Sequence, residues 1–280
     1  MEGIIIKNIS NDYVVNSNNK EYICKARGKI RYNNLTPLVG DIVSFDDKTN
    51  YILDIKTRKN SLIRPSVSNI DQAIIVTSVK HPNLDTNLLD RLLTIISYNN
   101  IEPIICFTKL DLLDNRKLDD VNKYIEYYKN VGYRVYINTD IDNIKKLFKD
   151  KLTVFTGQSG AGKSSLLNRL DSNLELKTDE ISIALGRGKH TTRHVELFVM
   201  EDGFVVDTPG FSSVDFRGMS KIDIRDNMKE MFDNLDRCKY RDCMHIREDG
   251  CYVKELVNNG EILKDRYSNY VSFINSINGR

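Results

Sequence analysis

Residues Gly157–Ser165 read GQSGAGKSS, and the fold turns on what surrounds them. Gly157, Gly162, Lys163 and Ser164 fit the pattern G-x-x-x-x-G-K-[ST]. The apolar run LTVFTG (152–157) leads into the loop, and SLLNRL (165–170) leaves it with helical spacing. Strand, glycine loop and helix form the setting in which this pattern holds phosphate instead of marking a chance turn. Gly157, Gln158, Ser159, Gly160, Ala161, Gly162, Lys163, Ser164 and Ser165 are therefore the candidate nucleotide-binding residues of the loop. The glycines let backbone N–H groups face phosphate oxygens, Lys163 neutralises the β and γ charges, and the Ser164 hydroxyl is placed to ligate magnesium.

A partner on the phosphate side is expected downstream, and FVVDTPG (204–210) supplies it. Asp207 ends an apolar run and suits magnesium through water, while the N–H of Gly210 suits the γ-phosphate, which makes this turn sensitive to hydrolysis. Between the two elements, LGRGKHTTRHVELF (185–198) carries glycines and basic residues. Thr191 or Thr192 completes the magnesium set, and spacing alone does not choose between them.

Upstream, FTKLD (107–111) follows the apolar run PIIC. In this segment Asp111 can accept hydrogen bonds from the ring N–H and exocyclic amine of guanine, the Lys109 stem can lie over the ring, and Thr108 stands where such a motif usually has asparagine. A loop at a strand's carboxyl end is where α/β sheets bind ligands. YINTD (136–140) also follows a strand-like run and is a weaker candidate for backing the base. The base reader thus precedes the phosphate loop, the reverse of the usual order. One half of the sheet has been placed first and joined to the other through DNIKKLFKDK (142–151), a circular permutation tolerated where the original ends lie close together at the surface. The carboxyl end of this unit then falls just after DTPGF, so the last part of the chain hangs on the turn that senses hydrolysis.

The whole chain has 280 residues, enough for several cores. Its 41 basic and 39 acidic side chains nearly cancel, which excludes general coating of nucleic acid and leaves only local basic patches. Stretches such as AIIV and PIICF are far too short to span a bilayer. Short alternating runs from Ile4 to about Arg58 predict a small all-β unit. From QAIIVTSV (72–79) onward, strands alternate with amphipathic helices, which predicts a mostly parallel sheet covered on both faces. Past DTPGF the chain reads as helical around Cys238, Cys243, His245 and Cys251, whose crowding suggests a metal site and not disulfides. Cys24 and Cys106 sit singly in apolar, strand-like runs.

TKLD, then GQSGAGKSS, then HTT, then DTPGF, with a β-rich front and a Cys/His tail, resembles over essentially the full chain the RsgA (YjeQ) family of bacterial GTPases that depend on the small ribosomal subunit. The resemblance implies a multidomain fold: an N-terminal OB-fold β-barrel (1–66), a central α/β circularly permuted P-loop GTPase domain (67–217) and a C-terminal α-helical zinc-binding domain (218–280). It implies GTP hydrolysis with magnesium and late maturation of the 30S subunit with its rRNA as partner; the protein is expected to be cytoplasmic and monomeric. The family's zinc ligands fall on Cys238, Cys243, His245 and Cys251. Their C-x4-C-x-H-x5-C spacing, three thiolates and an imidazole, suits a closed, structural tetrahedral site.

Where many G domains have a glutamine after D-x-x-G, this chain has Phe211, which cannot orient water, so slow intrinsic turnover is expected. His190 is the nearest candidate to polarise the nucleophile or contact RNA, beside Lys163 as the other catalytic candidate. Arg187, Lys189 and Arg193 are candidates to meet phosphate oxygens of nucleotide or RNA, with a solvated basic loop as the equal alternative. His81 and His194 have no comparable context. In KARGKIRY, Lys25, Arg27, Lys29, Arg31 and Tyr32 form a basic, aromatic-bearing stretch suited to tracking sugar-phosphate. Two readings compete: an RNA-binding adaptor holding nucleotide as a structural ligand, and an ATP-dependent phosphotransferase using the same glycine loop.

Overall fold

The computed structural model describes residues 1–10, 12–27, 36–62, 66–171, 195–207 and 215–277. Strands β1 (Glu2–Ile9), β2 (Asp12–Ser17), β3 (Lys20–Ala26), β4 (Ile42–Asp46) and β5 (Tyr51–Ile55) make the front unit. β1 pairs with both β2 and β4, β2 with β3, β3 in parallel with β5, and β5 with β4, so the strands close into an OB-type barrel. The two-residue alternation explains the closure. Tyr13, Val15, Cys24, Phe45 and Ile52 point inward and are buried, while Ile23, Tyr51 and Leu53 face out.

After a short pair, β6 (Ser61–Leu62) with β7 (Val67–Ser68), come β8 (Gln72–Ser78), β9 (Glu102–Thr108), β10 (Arg134–Ile137), β11 (Leu152–Gly157), β12 (Glu196–Met200) and β13 (Gly203–Asp207). Their spatial order is β10-β9-β8-β11-β13-β12. All pairings are parallel except β12 with β13. The strands first in the chain occupy one half of the sheet and the phosphate-loop strand β11 begins the other, which is the permuted arrangement read from the motif order. Every residue of β8 is buried, as a strand covered on both faces requires.

The covering helices are α1 (Thr86–Tyr98), α2 (Asn115–Asn130), α3 (Ile141–Lys145) and α4 (Lys163–Leu170). Asp85 starts α1 by accepting the Leu88 N–H at 2.9 Å, and Asp114 starts α2 in the same way. Leu89, Leu92, Leu93 and Ile96 of α1 pack into the sheet core, whereas Ile95 packs into the tail core. α1 is thus buried on both sides. The tail contains α5 (Lys221–Asp226), α6 (Lys229–Asp233), α7 (Tyr252–Asn258) and α8 (Lys264–Ser276), gathered on Met219, Ile224, Met228, Val253, Tyr270 and Phe273.

The barrel is also joined to the central sheet, a link that no local motif announces. β1 pairs with β12, opposing Lys7 to Glu196, whose side chains also bond at 2.8 Å. Barrel and central sheet therefore share one run of eleven strands. Among the described residues no helix is long and apolar enough to cross a membrane.

Candidate nucleotide site and metal centre

β11 delivers the glycine loop against β8. Gly157 has φ +127°, and a Cβ there would lie 2.0 Å from the Val76 carbonyl oxygen, so the position admits only glycine. Gly162, at φ +95°, turns the chain into α4, whose first turn carries Lys163 and buried Ser164. The Lys163 Nζ donates to the carbonyls of Gly157 and Gln158, both at 2.9 Å. Burial holds its pKa below the ordinary lysine value, because taking the ammonium out of water disfavours its charged form.

The turn after β9 closes onto this loop. Thr108 is 2 % exposed, and its hydroxyl donates to the Ala161 carbonyl at 2.6 Å. Lys109 sits in the left-handed region, and its Nζ donates to the carbonyls of Gly160, at 2.8 Å, and His81. Asp111 lies exposed in the following single helical turn, Leu110–Leu112. The Asn138 N–H donates to the Phe107 carbonyl at 2.9 Å, bringing the YINTD segment beside the same turn. Segments far apart in the chain thus meet through hydrogen bonds, as expected of two ends of one ligand site.

The His81 bond has no signal in the sequence. His81 acts through its backbone carbonyl, which leaves no side-chain signature. Its loop is also tied in by Lys80, whose Nζ donates to the Leu112 carbonyl at 2.6 Å. Asp207 ends β13, one residue past the Val154–Val206 pair, so its backbone reaches the carboxyl end of the sheet beside the glycine loop. Arg187, Lys189, His190, Thr191, Thr192, Arg193, His194, Gly210 and Phe211 lie outside the described residues, as do Lys29, Arg31 and Tyr32. Of the basic stretch on the barrel, Lys25 and Arg27 are exposed. The aromatic beside Lys25 in the β3–β5 register is Tyr51, itself exposed.

In the tail, the ligand atoms of Cys238, Cys243, His245 and Cys251 all lie within 4.8 Å of one another. The His245 Nδ1 is 3.5 Å from the Cys238 Sγ and 3.4 Å from the Cys251 Sγ. Its Nε2–H donates to the Met231 carbonyl at 3.0 Å, which leaves Nδ1 bare and aimed at the thiols. Burial lowers the pKa of His245 and pushes the Cys243 thiol up to about 12, so thiolates at this spot call for a cation. Four soft or borderline donors this close together fit a metal ion. Glu248 shapes the loop by accepting the N–H groups of Met244, Ile246 and Arg247, each at 2.9 Å. Cys24 and Cys106 are buried alone, their thiols pushed up by burial to about 11 and about 12, and take no part in either site.

Comparison with known proteins agrees with this geometry. A family profile described as RsgA GTPase matches residues 55–217, and one described as RsgA N-terminal domain matches residues 2–52. A small ribosomal subunit biogenesis GTPase, RsgA 2 of Oceanobacillus iheyensis, is 48 % identical over 287 residues, covering all of this chain and 98 % of that protein. The RsgA protein of Bacillus subtilis is 45 % identical over 292 residues with the same coverage. Among solved structures, YloQ, described as a circularly permuted GTPase, superposes with TM-score 0.85 at 39 % identity, covering 100 % of this chain and 96 % of that one. YjeQ from Thermotoga maritima gives TM-score 0.86 at 34 % identity, covering 100 % and 99 %. A barrel welded to a permuted G domain, a TKLD turn bonded to a glycine loop, and a Cys3His tail coincide with sequence identity over the full chain: the chain belongs to the RsgA family of circularly permuted GTPases.

Proposed function

We propose that this GTPase works on the small ribosomal subunit, binding it with GTP, assisting its late maturation and leaving after a hydrolysis that the subunit stimulates. The observation that supports the reading is the pair of bonds from Thr108 to the Ala161 carbonyl and from Lys109 to the Gly160 carbonyl, which bring the TKLD turn against the phosphate loop. The roles follow from chemistry. Asp111 reads the guanine edge, and the N–H groups of residues 157–165 together with Lys163 receive the phosphates. Magnesium would supply charge neutralisation for the phosphates when bound with GTP, and Ser164, Asp207 and Thr191 or Thr192 are the residues that would hold it. His190 is the group proposed to orient the water in place of the absent glutamine.

Zinc is proposed for the Cys3His cluster as a structural ion, because all four tetrahedral positions are filled by protein. Lys25, Arg27, Lys29 and Arg31 are proposed to meet rRNA phosphates from the barrel. We place the domain boundaries at 1–66, 67–217 and 218–280, and the protein in the cytoplasm as a monomer.

One assay tests the central claim. GTP turnover should be slow alone and rise at least about tenfold on titration with 30S subunits; a flat titration removes the partner. Asp111→Ala should abolish the preference for GTP over ATP, and a preserved preference would return the ATP-dependent phosphotransferase. If Lys163→Ala leaves RNA binding and release unchanged, the adaptor reading replaces this one.

A further inference from the structure

Arg266 of α8 is 1 % exposed, yet it is the cation of a fully buried cage drawn from two domains. Its Nε and Nη2 grip the two oxygens of Glu230 on α6 at 2.8 and 3.0 Å, and its Nη1 donates to Asp90 of α1 at 2.6 Å. Its Nη2 also donates to the Tyr133 hydroxyl at 3.2 Å. Around it, the hydroxyl of Tyr128 on α2 donates to Asp90 at 2.6 Å, that of Tyr127 to Glu230 at 2.5 Å, and Asn269 donates to the other oxygen of Asp90 at 2.7 Å. A buried charge left without its partner is strongly unfavourable, so such a cage is closed or broken and has no graded intermediate. It spans the seam between the tail and helices α1 and α2.

The same helix α1 starts beside the loop that meets the nucleotide site, little more than one turn before Asp90. Its capping residue Asp85 follows His81 by four positions, and the His81 carbonyl accepts from Lys109 of the base-reading turn. The Lys109 bond to the His81 carbonyl, the four-residue step from His81 to the cap of α1, and α1 itself thus link the base-reading turn to Asp90 and, across the cage, to α8. Energetic coupling travels through contiguous elements of this kind when one of them has two arrangements.

We infer that the Asp90–Arg266–Glu230 cage couples occupancy of the base-reading turn to the docking of the tail, so that guanine nucleotide tightens α8 against α1. The inference rests on the nucleotide site under the proposed function. It differs from transmission along the backbone through Asp215 and Phe216, a route that bypasses Arg266.

Amide hydrogen exchange on the full-length chain, with and without saturating GDP, tests it in wild type, Arg266→Met and Tyr133→Phe. In wild type, GDP should slow exchange in both residues 157–170 and α8, the latter by about tenfold. In Arg266→Met the response of α8 should vanish while that of residues 157–170 persists. Where Arg266→Met exposes α8 even without nucleotide, Tyr133→Phe decides, since it removes a single hydroxyl and should cut the α8 response by roughly threefold. An α8 unmoved by GDP while residues 157–170 are protected overturns the coupling alone. An α8 response undiminished in either folded variant does the same and points to the backbone route. If GDP slows nothing in residues 157–170, the nucleotide site itself is wrong and the coupling falls with it.

Discussion

At the scale of single residues, Thr108 does with a hydroxyl what an asparagine amide does in the usual motif, and it does so with one donor. Its bond to the Ala161 carbonyl is buried, so Thr108→Ala leaves that acceptor unpaired. We expect GTP affinity to fall about five- to tenfold, the equivalent of roughly 1–1.5 kcal/mol. Thr108→Asn should restore most of it in an equilibrium titration.

Lys163 gives a prediction of opposite sign for stability. Its pKa is lowered by burial, so without phosphate the charged form costs the folded state free energy at neutral pH. For a base, this cost applies in full below the folded pKa and fades as pH rises from that lowered value toward the unfolded value near 10.4. Lys163→Met should therefore bind GTP at least about a hundredfold more weakly, yet melt about 2 °C higher than wild type when nucleotide-free at pH 7. The gap between the two melting curves should narrow as the pH is raised toward 10.4. A lower melting temperature at neutral pH would show that the two carbonyl bonds of Nζ outweigh its desolvation.

At the scale of elements, α1 matters most, because it is packed on both faces and touches both ends of the machinery. Its start depends on Asp85 accepting the Leu88 N–H. Asp85→Ala should cost about 1 kcal/mol of stability in denaturant unfolding. The loss should be shared by the tail, because Ile95 and Asp90 of the same helix hold it.

Elements also show how far sequence carries. The glycine loop, the TKLD turn and the Cys/His cluster are contiguous motifs with particular side chains at fixed spacing, so each is legible locally. The cage is not. Asp90, Glu230 and Arg266 are charged residues on three helices, and on a helix a charge ordinarily marks the solvated face. Only the packing of three helices turns those faces inward. The His81 bond is hidden for a different reason, since a backbone carbonyl is common to every residue. The barrel seam is hidden because strand pairing between Lys7 and Glu196, so distant in the chain, carries no local pattern. In the basic stretch, Lys25 lies on the outer barrel face as its alternation suggests, but the aromatic it pairs with across strands is Tyr51, from a different run.

At the scale of the whole molecule, the tail has a modest core wrapped around four ligand residues. Small domains of this kind draw much of their stability from a bound metal. A chelator should therefore split thermal unfolding into two transitions, with loss of helix signal from α7 and α8 in the first while the central sheet persists. A single unchanged transition would argue that the core of Met228, Val253 and Phe273 suffices alone.

The junction of β1 with β12 has a geometric corollary. β12 and β13 form a hairpin whose open ends, Glu196 and Asp207, face each other in register. The front barrel is bolted to that hairpin, whereas the rear helices are clamped to the opposite flank through α1. The barrel is thereby a lever on that hairpin, and a displacement of β12 would swing β1 and the strands closed on it.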